Sequence, residues 1–392
     1  MNYPLASNTW DEKEISAIQQ VFESGLYTMG EKVKQYERSF ATFFGSKYAV
    51  MVNSGSSANL IAVAALFFRR NSPLKRGDEV IVPAVSWSTS YHPLQQYGLH
   101  CRFVDIDIET LNYHLPSLEQ AITDKTRMIL AVNLLGNPND FSSINRIIAG
   151  KDIIILEDNC ESMGARLNGK MTGTFGLMGT FSSFFSHHIS TMEGGVIVTD
   201  DEELYHIMLS LRTHGWTRNL PKKNLVTGLK SDNEFEESYK FVLPGYNFRP
   251  GEIHGAIGIE QLKKLPEFIK IRRENADYFT NLFSDHPNVL IQKEIGESSW
   301  FGFSIILKEE APFTRDGVLT KLKENGIECR PIISGNFLKN PVLKYFDYSV
   351  YGDAINAETL DQNGFFVGNH HYSIKKQIKS LYELIYNMGK VK

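Results

Sequence analysis

Cysteine is scarce in this chain of 392 residues: Cys101, Cys160 and Cys329 are the whole set. Three scattered thiols form neither a disulfide framework nor a zinc site with ligands at the usual spacing, and a reducing compartment fits such usage best. Long apolar runs are also missing. No stretch approaches the roughly 18–20 residues needed to cross a bilayer, so no membrane partner is expected. The start, Met-Asn-Tyr-Pro-Leu-Ala-Ser, has neither a basic leader nor an apolar h-region, and a cytoplasmic location is the expectation. Charge of one sign is lacking too: 41 Lys+Arg against 45 Asp+Glu leave −4, which argues against nucleic acid as the main partner. No repeat or low-complexity tract is visible, and the composition is that of an ordinary globular protein.

What is present is an alternation. From Tyr48 onward, short β-branched or apolar runs alternate with amphipathic stretches, the pattern of strands parallel in one sheet with helices on both faces. The strand candidates are 48–54, 79–85, 101–107, 128–133, 152–158, 180–185 and 195–199. Ser57–Arg69 reads as a helix because Leu60, Ala64 and Phe67 recur at helical spacing; 265–283 reads as a second, entered through Pro266. Beyond it, strands at 300–307 and 327–332 flank a helix at 314–325 that ends at Gly326, which predicts a smaller α+β domain. The expected organisation is an arm over 1–30, a large α/β domain over 31–260 and a small domain over 261–392.

Three constellations carry chemistry. Asn53-Ser-Gly-Ser-Ser-Ala58 lies between a strand and a helix, where a glycine turn and free amides at a helix N-terminus suit a phosphate, or simply make a turn. Leu156-Glu-Asp-Asn-Cys-Glu161 closes an apolar strand with acids. In an open α/β sheet ligands collect at that edge, although Asp158 by itself is equally suited to capping a helix. Phe181-Ser-Ser-Phe-Phe-Ser-His-His-Ile-Ser-Thr-Met-Glu-Gly-Gly195 holds two adjacent histidines with no metal spacing; one is suited to be a base, and a packed core histidine is the other reading.

In this order and at these separations, the motifs resemble the sugar aminotransferase family of fold-type I pyridoxal phosphate enzymes, which act on nucleotide-linked keto-sugars. The likeness runs over nearly the whole chain and includes Ser24-Gly25, Gly30, Ser54-Gly-Ser-Ser-Ala-Asn59, Pro83 with Trp87, Leu135-Gly136, Glu157-Asp158, Glu193-Gly-Gly195, His214-Gly215, Gly245-Tyr-Asn-Phe-Arg249 and Gly258-Ile-Glu-Gln-Leu262. It implies a mostly parallel seven-stranded sheet sandwiched by helices, with the smaller α+β domain C-terminal. It also implies that Asp158 pairs with the pyridine nitrogen of the cofactor, that Trp87 stacks on the ring, and that Gly55, Ser56, Ser57 and Ser182 grip the phosphate. Asn247 matches an asparagine that reaches the phosphate from the neighbouring subunit, so a homodimer with shared active sites is implied. Glu161 falls near the cofactor hydroxyl, where relatives often carry Gln or His.

One position departs from that pattern. Six residues before Glu193 the family carries the lysine that holds the cofactor covalently; here the residue is His187, and no lysine occurs between Lys170 and Lys222. Imidazole moves protons near neutral pH but forms no durable imine, so the cofactor would sit non-covalently and exchange between pyridoxal and pyridoxamine phosphate. The replacement resembles the branch of the family that removes a 3-hydroxyl from a GDP-linked 4-keto-6-deoxy sugar in colitose and O-antigen synthesis, with L-glutamate as amino donor. Relatives that carry an iron–sulfur cluster need four thiolates, more than this chain has. Arg218 and Arg330 are candidates for gripping a carboxylate or diphosphate through paired hydrogen bonds, or for structural ion pairs; His188 reads as a structural neighbour. The other readings are a nucleotide-sugar 4-aminotransferase with an unusual base, a non-catalytic cofactor-binding relative, and an engineered lysine-to-histidine variant.

Overall fold

Strands Glu79–Pro83, Ile154–Asp158, Met178–Ser182 and Gly195–Thr199 are buried at every position, as interior strands with helices over both faces must be. In the computed structural model, which describes residues 2–390, they belong to one sheet. Its order is Tyr48–Val52, Gly195–Thr199, Met178–Ser182, Ile154–Asp158, Thr126–Val132, Glu79–Pro83, His100–Val104 and Tyr348–Tyr351. All seven expected strands are there. The eighth, Tyr348–Tyr351, comes from the C-terminal part of the chain and pairs parallel with His100–Val104. Its short, half-exposed edge position gives it no apolar run to read in sequence.

Gly195–Thr199 alone runs against the others, paired antiparallel with both of its neighbours. The pairing of Ser182 with Gly195 therefore closes a loop over 183–194 at the carboxyl edge of the parallel strands. The Ser183 and Thr191 hydroxyls bond to each other at 2.6 Å and tie its base. The sequence suggests a strand over 180–185, but the chain leaves the sheet after Ser182, and Phe184 and Phe185 stand exposed in the loop.

The long helix is Glu252–Phe283, so Pro266 lies inside it rather than at its start. Proline removes one internal hydrogen bond, yet a helix with this much buried face is held by packing rather than by its own propensity. Two of its glycines let the helix Glu31–Phe44 approach closely. A Cβ on Gly255 would meet the Val33 backbone at 2.6 Å, and one on Gly258 would meet the Tyr36 ring at 2.7 Å. The helix passes straight through residue 260 and reaches the small domain, where the four-stranded antiparallel sheet is ordered Val289–Ile291, Gly302–Leu307, Gly364–Gly368 and Cys329–Arg330. The arm before residue 30 is anchored along its length, among other places at Thr9, Glu14 and Tyr3. The Gln261 side chain bonds both Thr9 and Glu14, and Tyr3 is buried in the small-domain core with its hydroxyl on the Gly368 carbonyl.

Candidate active site

The carboxyl ends of the parallel strands open into a cavity of ≈ 470 Å³. Strand geometry places Asp158 and Ser182 on its floor, the turn after Tyr48–Val52 supplies Ser54, Gly55 and Ser56, and the turn after Glu79–Pro83 supplies Trp87. The 183–194 loop contributes Phe184, Phe185, His187 and Glu193, and the small domain adds Phe301 and Arg330. Of the residues singled out in sequence, His187, Gly55, Ser56, Trp87, Asp158, Glu161, Ser182 and Arg330 line this one cavity.

Three do not. Ser57 is buried, and both its amide and its hydroxyl are engaged with Ser54 Oγ, at 3.1 and 3.0 Å, so it belongs to the helix cap rather than to the cavity wall. Arg218 is exposed outside the cavity with its guanidinium 5.0 Å from the centre of the Trp216 ring. Asn247 is also exposed outside it, and its carbonyl oxygen accepts from Arg249 Nε at 3.0 Å.

Asp158 is nearly fully buried, yet its carboxylate is well supplied with donors. Oδ2 accepts from Asn59 Nδ2 at 2.9 Å and from the Ser90 hydroxyl at 2.7 Å, and Oδ1 accepts from the Cys160 amide at 3.2 Å. Such bonds fix the orientation of the carboxylate and suit it to pair with a protonated ring nitrogen. Ser90 and its hydroxyl partner Ser86 carry no motif, and only the fold brings them here. The neighbouring Glu157 points away from the cavity, where it accepts from the Gly173 and Gly176 amides and closes a turn.

At the other end, the helix Gly55–Phe68 begins with two amides, Gly55 and Ser56, that have no partner among the described residues; the Ser57 amide is taken by Ser54 and the Ala58 amide by the Ser54 carbonyl. A side chain on Gly55 would place its Cβ 2.7 Å from Ser182 Cβ and 3.1 Å from Cys160 Sγ. The hollow at this helix N-terminus thus exists because residue 55 is glycine, and it fits a phosphate in size and polarity. With the donor-rich Asp158 across the floor, these residues fit a phosphorylated pyridine.

Glu161 lines the same wall, with Oε2 accepting from the Leu135 amide at 3.0 Å. Burial pushes its carboxyl up to about 8 against the opposing Leu135 amide, and the nearby Asp158 charge adds to the rise. At neutral pH it is an uncharged acid, able to donate a hydrogen bond. His187 packs its ring against Phe301, with centroids 5.3 Å apart. Its Nδ1 is buried without a partner, leaving Nε2 in reach of a molecule in the cavity. Burial pushes the imidazole down to about 4; the Phe184 carbonyl opposes this and the Arg272 charge adds to it, so the ring is neutral at pH 7. His188 is fully buried, and its Nε2 bonds the Ser299 carbonyl at 3.1 Å, the structural role expected of it.

A GDP-4-keto-6-deoxy-D-mannose 3-dehydratase of Yersinia pseudotuberculosis is 67% identical over 386 residues, covering 98% of both chains. A solved GDP-4-keto-6-deoxymannose-3-dehydratase with a trapped PLP-glutamate geminal diamine superposes with a TM-score of 0.97 at 66% identity, covering 98% of this chain and all of that one. A solved ColD variant, in which adjacent serine and histidine are replaced by asparagine and lysine, superposes with a TM-score of 0.96 at 65% identity over 97% of this chain and 100% of its own. The DegT/DnrJ/EryC1/StrS aminotransferase family model matches residues 8–383, and the chain belongs to that family.

Proposed function

We propose that this chain removes the C3 hydroxyl of GDP-4-keto-6-deoxymannose, with pyridoxal phosphate as cofactor and L-glutamate as the amino donor that renews its pyridoxamine form. The observation that carries this is the histidine at the cavity where the family holds a lysine. Ser186-His187 is the single Ser-His pair in the chain, and it answers to the adjacent serine and histidine replaced in the solved ColD variant. When bound, the cofactor supplies an electron sink that lets a proton leave a carbon next to it.

The chain's own residues do the rest. Asp158 would hold the ring nitrogen protonated, the Gly55 and Ser56 amides with the Ser182 hydroxyl would hold the phosphate, and Trp87 would cover a ring face. His187 Nε2 takes a proton and, once charged, hands it to the departing hydroxyl oxygen, so that water leaves instead of a hydroxide. No lysine of the 171–221 segment is present to return that proton to the sugar carbon, which is the step that would complete amination. Arg330 at the cavity wall suits a carboxylate or diphosphate, and Phe184, Phe185 and Phe301 limit the entry of water. Asn247, exposed and outside its own cavity, is placed to serve a second subunit, which supports a homodimer as the working assembly.

The test is turnover of the purified protein with that sugar, pyridoxal phosphate and glutamate. The expected products are a 3-deoxy ketone, 2-oxoglutarate and ammonia, whereas a 4-amino sugar would replace this reading with an aminotransferase. His187→Lys should bind the cofactor covalently and suppress deoxygenation. Undiminished deoxygenation by that variant removes His187 from the mechanism.

A further inference from the structure

Arg272, on the inner face of the helix Glu252–Phe283, is 4% exposed, and no acid pairs with it among the described residues. Its Nη1 donates to three backbone carbonyls, of Asn369 at 2.8 Å, Phe301 at 3.3 Å and Trp300 at 3.4 Å, and its Nε has no partner. A buried guanidinium held by neutral acceptors keeps its whole charge acting on its surroundings.

The segment it grips is strained and otherwise tied down. Trp300 sits in the left-handed region at φ 46°, a conformation a bulky residue adopts only when its neighbours enforce it. Asn369 Nδ2 donates to the Trp300 carbonyl at 3.0 Å, the Phe301 amide donates to the Leu135 carbonyl at 3.0 Å, and the Ser299 carbonyl receives His188. The product of this strain is the placement of one ring: Phe301 leaves the turn into the cavity and packs on His187 at 5.3 Å and His188 at 5.7 Å.

We propose that Arg272 is a positioning residue for His187, clamping the Ser299–Phe301 turn that seats the Phe301 ring on the imidazole. That role rests on the reading of His187 as the base. The other ionisable groups around the cavity are Glu193 and His188 on the same loop, Asp158, Cys160 and Glu161 at the strand edge, and Arg330 from the small domain. Burial is the main reason His187 stays neutral and the Arg272 charge adds to it, as it adds to burial at His188, His370 and His371.

The experiment follows imidazole resonances of the full-length chain against pH, with His187 identified by the signal lost in His187→Asn. The titration itself needs no substrate, so its outcome is independent of which reaction the chain catalyses. Wild-type His187 should titrate near 4. Arg272→Gln, neutral but still able to donate, and Arg272→Met, which cannot, should both raise that midpoint by about one unit. An unmoved midpoint in both, or a rise in Arg272→Met alone, overturns the role of the charge. Arg272→Lys keeps the charge and loses the planar fork: its midpoint should stay low while the glutamate-dependent conversion of the cofactor slows about ten-fold at unchanged KM. A lysine variant equal to wild type in rate refutes the clamp, whether or not the neutral variants fold.

Discussion

Replacing Glu161 by glutamine should make the protein more stable at alkaline pH and leave it unchanged in acid. In the folded chain the Glu161 carboxyl is raised by burial from 4.5 to about 8, whereas in the unfolded chain it ionises near 4.5. Below 4.5 both states hold the proton, and the side chain adds nothing to the pH dependence of folding. Between 4.5 and 8 the unfolded state loses its proton and the folded state keeps it. Stability therefore falls as pH rises through that window and levels off above 8. The gap corresponds to a limit of about 5 kcal/mol. Glu161 stands at the wall of an open cavity, and solvent there reduces the expected loss to about 2–3 kcal/mol. Glutamine keeps the acceptor for the Leu135 amide and never ionises, so it escapes the loss. Urea denaturation of cofactor-free wild type and Glu161→Gln at pH 4.5, 7 and 9 is the assay. The two curves should coincide at pH 4.5 and separate progressively above it, with glutamine the more stable. Equal midpoints at pH 9 would show that Glu161 is already ionised in the native protein, and the neutral-donor role would fall with it.

Much of this site was legible from sequence because its groups sit at the ends of apolar runs. Asp158 closes Ile153-Ile-Ile-Leu-Glu, Gly55 follows Tyr48–Val52, and His187 is set in the segment between two strands, so strand periodicity alone points them to one edge. The resemblance supplied what spacing could not, namely which cofactor this edge would take and that a lysine is missing at 187. Ser57 shows where a motif misleads: adjacent to the two free amides in sequence, it turns inward because the helix cap needs its amide. Ser90, Phe301 and Arg272 were invisible for another reason. Each reaches the site through a long-range contact, from a helix, a strained turn and the interior of a 32-residue helix. Arg272 in particular reads as one more charge in Lys270-Ile-Arg-Arg-Glu274, and nothing local separates it from Arg273, which pairs with Glu294 at 2.6 Å. The expected helix start at Pro266 failed similarly, since packing of the preceding turns decided where the helix begins.

Two further substitutions probe the scaffold. Gly55→Ala forces its new methyl to within 2.7 Å of Ser182 Cβ, so the hollow must deform; a penalty of about 1–3 kcal/mol should weaken pyridoxal phosphate binding about ten-fold or more with the fold retained, as read by absorbance titration, and undiminished affinity would place the phosphate elsewhere. Arg212→Met removes the partner of buried Glu37, with side chains 3% and 9% exposed, and costs about 3–5 kcal/mol in urea denaturation because an unpaired carboxylate is left in the core. Both groups also bond the Met51 backbone, Arg212 to its carbonyl at 2.6 Å and Glu37 to its amide at 2.8 Å, so the pair satisfies the otherwise unpaired groups of the first strand just ahead of the phosphate turn. The double variant Glu37→Leu/Arg212→Met separates the two contributions. If the unpaired charge is the main cost, removing both charges restores most of the stability lost in the single variant; if the Met51 bonds matter more, the double variant stays as unstable as Arg212→Met and also loses affinity for pyridoxal phosphate.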